Sequence, residues 1–275
     1  MVALSLDYLA RLVEALNIAT YSYVKPAAPH RFSVRFKDID HVIFTVTSSL
    51  EVYSQAFEVG LDVSTGKETL LTAGVGRLIY NSLAKSYRRL GTRAYQALNL
   101  ILVPSSVAIA YASRYKPFTN SYRRVLLSIL ETDNSKDVSM LVEGIRQFYG
   151  IAYLALSDAG ISPGKVASER ITIGDVMSTL GTKIRELNYF LKRVDNILET
   201  GAFFGRLISS GYEPNDAAVK AFLKLASVDC DRLSTLTDVN QRVLYELDKE
   251  LTSKGIDLSY IIAPLTLAII ISNYV

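Results

Sequence analysis

The sequence predicts an all-α protein, a single globular domain over residues 1–275 with roughly ten helices. Three observations predict it. Apolar residues recur at helical spacing along nearly the whole chain. No alternation of strands and helices, the pattern of a parallel sheet, is present. The connections are short, with no low-complexity linker and no repeat of fixed period.

The elements follow in order. Leu4, Tyr8, Leu12, Leu16 and Ile18 share one face of an opening helix, with Asp7, Arg11 and Glu14 largely on the other. A proline-containing loop follows, and then Val42–Phe57 is apolar over a helical length, although its β-branched run "VIFTVT" favours a strand. The next helix is expected to start at Thr65 as a cap and to stop at Gly91 after a basic last turn. "TRAYQALNLILVPSSVAIAYASRY" is apolar almost all round, which indicates a central buried helix, bent or divided at Pro104. "TNSYRRVLLSILET" gives a short helix. Asp133 or Asn134 then opens another, closed by Gly160. "ITIGDVMSTLGTKIRELNYFLKRVDNILETG" is expected to be one long helix ending at Gly201, and Pro214 with Asn215 or Asp216 starts a later one. The last stretch, "LSYIIAPLTLAIIISNYV", is shorter than the roughly twenty apolar residues of a membrane span and contains Pro264, so it is expected to be a buried helix.

Composition narrows the function classes. The chain is 49% hydrophobic and 21% charged, which describes a folded protein. A net charge of +3 does not call for a polyanionic partner and argues against nucleic acid. The single cysteine, Cys230, excludes an internal disulfide and a cysteine-rich zinc site. The opening residues lack a basic n-region of the secretory kind. A soluble, cytoplasmic protein is expected.

Several motifs invite a functional reading. "GLDVSTGKE" (Gly60–Glu68) is superficially like a phosphate loop, but five residues separate its glycines and Glu68 stands where a hydroxyl is needed, so a turn is expected. "GVG" at Gly74–Gly76 is expected to allow close helix packing. His30 and His41 are eleven residues apart, not a helical ligand spacing, and no metal site is expected. Tyr87-Arg88-Arg89 and Tyr122-Arg123-Arg124 combine aromatic and guanidinium groups as base-stacking sites do, but their spacing fits solvated helix faces.

The stretch "YVKPAAPHRFSVRFKDIDH" holds both histidines and two of the seven prolines. Together with later segments it resembles the triphosphoribosyl-dephospho-CoA synthase family, especially the archaeal-type members. Lys25, Pro26, His30, Arg31 and Phe32 match that family's K-P-G-N-V-H-R-F motif, and Phe36, Asp38 and Phe44 match its following acidic segment if one residue is inserted. "GVGRLIYNSL", "LNLILVPSSVAIAYA" and "DVSMLVEGIR" are similar, in order, to later family helices. The resemblance implies an all-helical fold, ATP with magnesium as co-substrate, and Lys25, His30, Arg31, Asp38 and Asn99 as ligand-binding residues. The family joins ATP to dephospho-CoA and releases adenine. This chain departs from the pattern where the family has Gly and Asn, here Ala27 and Ala28, and where an acidic pair falls on Val42 and Ile43. Val and Ile cannot replace carboxylates in such chemistry. Two readings follow: a divergent relative that keeps a nucleotide or phosphate ligand, or a non-catalytic helical scaffold acting through a protein partner or as half of a homo-oligomer.

Overall fold

The computed structural model describes residues 2–33, 36–91, 95–234, 236 and 240–275, and every regular element among them is helical. Sixteen α-helices and one 3-10 turn are found among the described residues, more than the roughly ten that periodicity gave. The excess arises because long periodic stretches are divided by local side-chain chemistry. Val42–Phe57 belongs to two helices, Phe36–Thr47 and Leu50–Ser64. At the break, Ser48 Oγ donates to the Thr45 carbonyl at 3.1 Å and Ser49 Oγ to the Ser82 carbonyl at 3.0 Å, bonds that compete with the helical ladder. Asn134 does open a helix, Ser135–Phe148, its side chain accepting from Asp137 N at 3.3 Å. That stretch then breaks at Tyr149 and resumes as Gly150–Asp158.

Two helix ends differ from expectation. Thr65 closes the Leu50–Ser64 helix instead of opening the next, because its hydroxyl reaches back to the Leu61 and Asp62 carbonyls at 3.3 and 3.1 Å. The next helix, Val75–Leu90, begins after Gly74 and ends at Gly91, both left-handed at φ 65° and 61°. The stretch that reads as one helix ending at Gly201 is three: Ile173–Gly181, Arg185–Lys192 and Val194–Ser209. Gly201 lies inside the third, where a Cβ would stand 2.7 Å from the Ala268 carbonyl. Glycine there serves a helix contact, not a stop. The first residues of "TRAYQALNL", 92–94, and residues 235 and 237–239 lie outside the described residues.

The chain packs as two compact units. The first comprises Met1–Ala10 and Phe44–Leu191. Its centre is the helix Ala97–Ala112, buried almost all round and running through Pro104 without division. Close packing explains this, because Gly60 sits so near the Val107 carbonyl that any Cβ would overlap it. Buried hydroxyl pairs tie the same helix to its neighbours, Tyr8 with Ser106 at 2.5 Å and Tyr122 donating to Ser105 at 3.0 Å. The GVG segment fulfils its packing role: a Cβ on Gly76 would overlap the Asp137 carbonyl. The Asp137 carboxylate accepts from Gly76 N and Arg77 N, both at 2.8 Å, and so caps Val75–Leu90 from another helix.

The second unit comprises Arg11–Ile43 and Lys192–Val275. Its core is the final helix Ile262–Ile271, every residue of which is buried. It packs on Val194–Ser209 and on Pro214–Ala226, which starts with proline in its first turn. No helix among the described residues is long and apolar enough to cross a membrane.

Candidate functional site

The loop after the opening helix is fastened by hydrogen bonds to residues far along the chain. Tyr23 donates its N–H to Asn215 Oδ1 and accepts at its carbonyl from Asn215 Nδ2, both at 3.0 Å. Ala27 N donates to Asp248 Oδ1 at 2.8 Å, and the Ala27 carbonyl accepts from Leu258 N at 2.8 Å. Backbone groups that a buried loop would leave unpaired are thereby satisfied.

Lys25 is fully buried beneath this loop. Its ammonium donates to the Thr20 carbonyl at 3.0 Å, the Ser22 carbonyl at 2.6 Å and Ser22 Oγ at 3.2 Å. These acceptors lie at the C-terminal end of the helix Val2–Tyr21, where a cation suits the carbonyl-rich terminus. All three donors of the ammonium are used by oxygens of the helix end and of Ser22 just after it. Burial, and secondarily the Arg31 charge, holds its pKa well below the ordinary 10.5.

His30 is equally buried. Its Nδ1 accepts from Phe32 N at 3.2 Å, which places the proton of the neutral ring on Nε2. That nitrogen faces Asp248 Oδ2 at 3.5 Å, longer than a hydrogen bond. Arg31 points outward, its guanidinium 4.4 Å from the centre of the Tyr23 ring and its Nε donating to the Tyr21 carbonyl at 3.4 Å. Phe32 beside it is 64% exposed. Asp38 occupies the first turn of Phe36–Thr47, half-buried, where a carboxylate complements the helix dipole.

Asn99 belongs to the first unit and is fully buried there. Its Oδ1 accepts from Tyr53 OH at 2.6 Å, and its Nδ2 donates to Ser86 Oγ at 3.0 Å and Gln96 Oε1 at 2.9 Å. The structure thus gathers Lys25, His30 and Arg31 in one loop, sets Asp38 on the helix that follows, and gives Asn99 protein partners of its own.

The other motifs resolve into structure. Gly60–Glu68 is a helix end and a turn, with Lys67 paired 3.5 Å from Asp62 and Gly66 left-handed at φ 73°. Tyr122 of the second YRR triplet is buried and stacks on Phe118, while Tyr87 of the first packs beside Phe148. Among the described residues, no group of three His, Cys, Asp or Glu side chains is placed to hold a metal ion. Of the loop's anchors, Asn215 was read in the sequence only as a helix-start residue and Asp248 was not singled out. Asp248 sits between Leu247 and Leu251 on the buried edge of an amphipathic helix, a faint signal of an inward-facing carboxylate.

Ala27 holds φ 56°, a left-handed conformation that is strained for any residue with a Cβ. Ala27→Gly is expected to stabilise the protein by about 0.5–1 kcal/mol, the relief of this strain outweighing the extra entropy of unfolded glycine. A higher urea midpoint at constant slope would register the gain; a lower midpoint would mean that the buried Ala27 methyl contributes more than the strain costs.

No protein-family model, no curated protein and no solved structure matches this chain.

Proposed function

We propose that this chain is a non-catalytic helical protein, a divergent relative of the triphosphoribosyl-dephospho-CoA synthases, that acts through a protein partner or as half of a homo-oligomer. In this reading the loop that follows Val2–Tyr21 has become a clasp. The observation that carries the proposal is the state of Lys25, a fully buried ammonium with all its donors committed to Thr20 and Ser22. A side chain so enclosed has no donor to offer a triphosphate. Two further features support it. Asn99 is saturated by Tyr53, Ser86 and Gln96. Ala27, at the position aligned with the family's glycine, keeps a left-handed backbone although the glycine is gone.

The deciding assay incubates the protein with ATP, dephospho-CoA and magnesium and follows adenine. No release above the protein-free blank is expected. Protein-dependent release that is lost in His30→Ala would overturn the proposal.

One observation favours the alternative, in which the loop still binds a nucleotide or phosphate. Arg31 remains exposed, next to the exposed ring of Phe32. Thermal stabilisation by ATP or dephospho-CoA that disappears in Arg31→Ala would support that reading.

A further inference from the structure

Some exposed cations among the described residues have a carboxylate at hand: Arg146 bonds to Glu143, and Arg232 and Lys254 share Glu250. The end of the Val75–Leu90 helix is different. Lys85, Arg88 and Arg89 line an open groove of about 600 Å³ together with Phe44, Thr47 and Ser48, all within the first unit. Lys85 is paired with Glu51. Arg88 and Arg89 are exposed and form no ion pair with a described carboxylate. Three cations against one carboxylate leave the groove with a net charge of +2.

A basic last turn complements the helix dipole by itself. The dipole does not account for the rest of the groove wall. The Phe44 side chain is 48% exposed there, whereas the other phenylalanines of its unit, Phe57, Phe118, Phe148 and Phe190, are buried. The hydroxyl of Ser48 donates to the Thr45 carbonyl, so the donors open to a ligand are chiefly the two guanidinium groups. Guanidinium is weakly hydrated and presents paired N–H donors that match phosphate oxygens. An exposed phenyl ring offers a face for a flat apolar body. The groove volume lies within the range of small-molecule sites, about 300–1,000 Å³.

We infer that this groove binds a ring-bearing organic phosphate. The phosphomonoester dianion, whose charge balances that of the groove, lies against Arg88 and Arg89, and its ring lies on Phe44. This site shares none of the residues read as ligand-binding in the sequence and does not depend on the function proposed for the chain.

The probe is phenyl phosphate, titrated into the full chain by calorimetry beside inorganic phosphate and phenol. Phenyl phosphate is expected to bind about tenfold or more tightly than either control. The double variant Arg88→Ala/Arg89→Ala should lose that binding, and Phe44→Ala should reduce it to the level of inorganic phosphate. Arg123→Ala/Arg124→Ala, which removes a comparable exposed pair, should leave it unchanged. Arg88 and Arg89 are exposed, so the melting curve of their double variant should match the parent and show that binding, not folding, has changed. Phenyl phosphate binding no tighter than inorganic phosphate would overturn the inference, as would binding that survives Arg88→Ala/Arg89→Ala.

Discussion

Asn99→Leu is expected to destabilise the protein by about 3 kcal/mol, because it strips buried polar groups of their partners. For a chain of this size the melting temperature should fall by roughly 6–12 °C. The Tyr53 hydroxyl, fully buried, loses the acceptor it holds at 2.6 Å, and Ser86 and Gln96 lose a donor. Burial, and secondarily the neighbouring Tyr8, keeps the Tyr53 phenol protonated well above the ordinary 10.0, so its proton stays available to Asn99 in alkaline solution. The coupling is measurable. Tyr53→Phe alone should cost less, and in the double variant Tyr53→Phe/Asn99→Leu the combined loss should be smaller than the sum of the single ones. A ligand-binding Asn99 makes the opposite prediction. Substitution would then leave the stability of the ligand-free protein nearly unchanged, and an unshifted melting temperature would restore Asn99 as a candidate ligand residue.

Lys25→Met should cost about 2 kcal/mol near neutral pH. The thioether fills a similar volume but donates to none of the three acceptors at Thr20 and Ser22, and these remain buried. The pH dependence carries more information than the single value. The folded-state pKa of Lys25 is depressed, so between that value and 10.5 the folded protein binds fewer protons at this site than the unfolded chain does. Stability therefore rises with pH across this window. Lys25→Met lacks the titrating group, so the parent should gain stability relative to the variant as pH climbs from the depressed folded-state value towards 10.5. Urea midpoints of both proteins along the same pH series give the difference. A constant difference would mean that the loop carbonyls stabilise the ammonium enough to cancel its desolvation.

The all-helical class was legible because apolar spacing reports burial directly, as in Ala97–Ala112 and the final helix. What periodicity misses is where a helix is interrupted without losing its buried face. Ser48 and Ser49 break a stretch whose apolar pattern continues on both sides. The three helices between Ile173 and Ser209 likewise share one unbroken pattern. Glycine proved ambiguous for a related reason. Gly91 ends a helix because its φ is positive, whereas Gly201 continues one because a neighbouring helix needs the space of a side chain. The same residue type answers two different steric demands, and only the three-dimensional neighbour tells which. The loop was conspicuous through its scarce residues, but its anchors were not. Asn215 and Asp248 are ordinary polar residues of ordinary helices, and their role arises from pairing with backbone groups 192 and 221 positions earlier.

Those separations have a consequence for synthesis. The clasped residues, Tyr23 to His30, leave the ribosome long before Asn215, Asp248 and Leu258, which follow them by about two hundred positions. At about 5–20 residues per second, several to tens of seconds pass before the partners of Tyr23 and Ala27 exist. The first unit needs nothing beyond Leu191, so its chain is complete while that of the second is still growing. Until then the loop lacks the anchors that fasten it in the folded protein, and the order of the genetic message makes its closure wait on residues encoded about two hundred codons later.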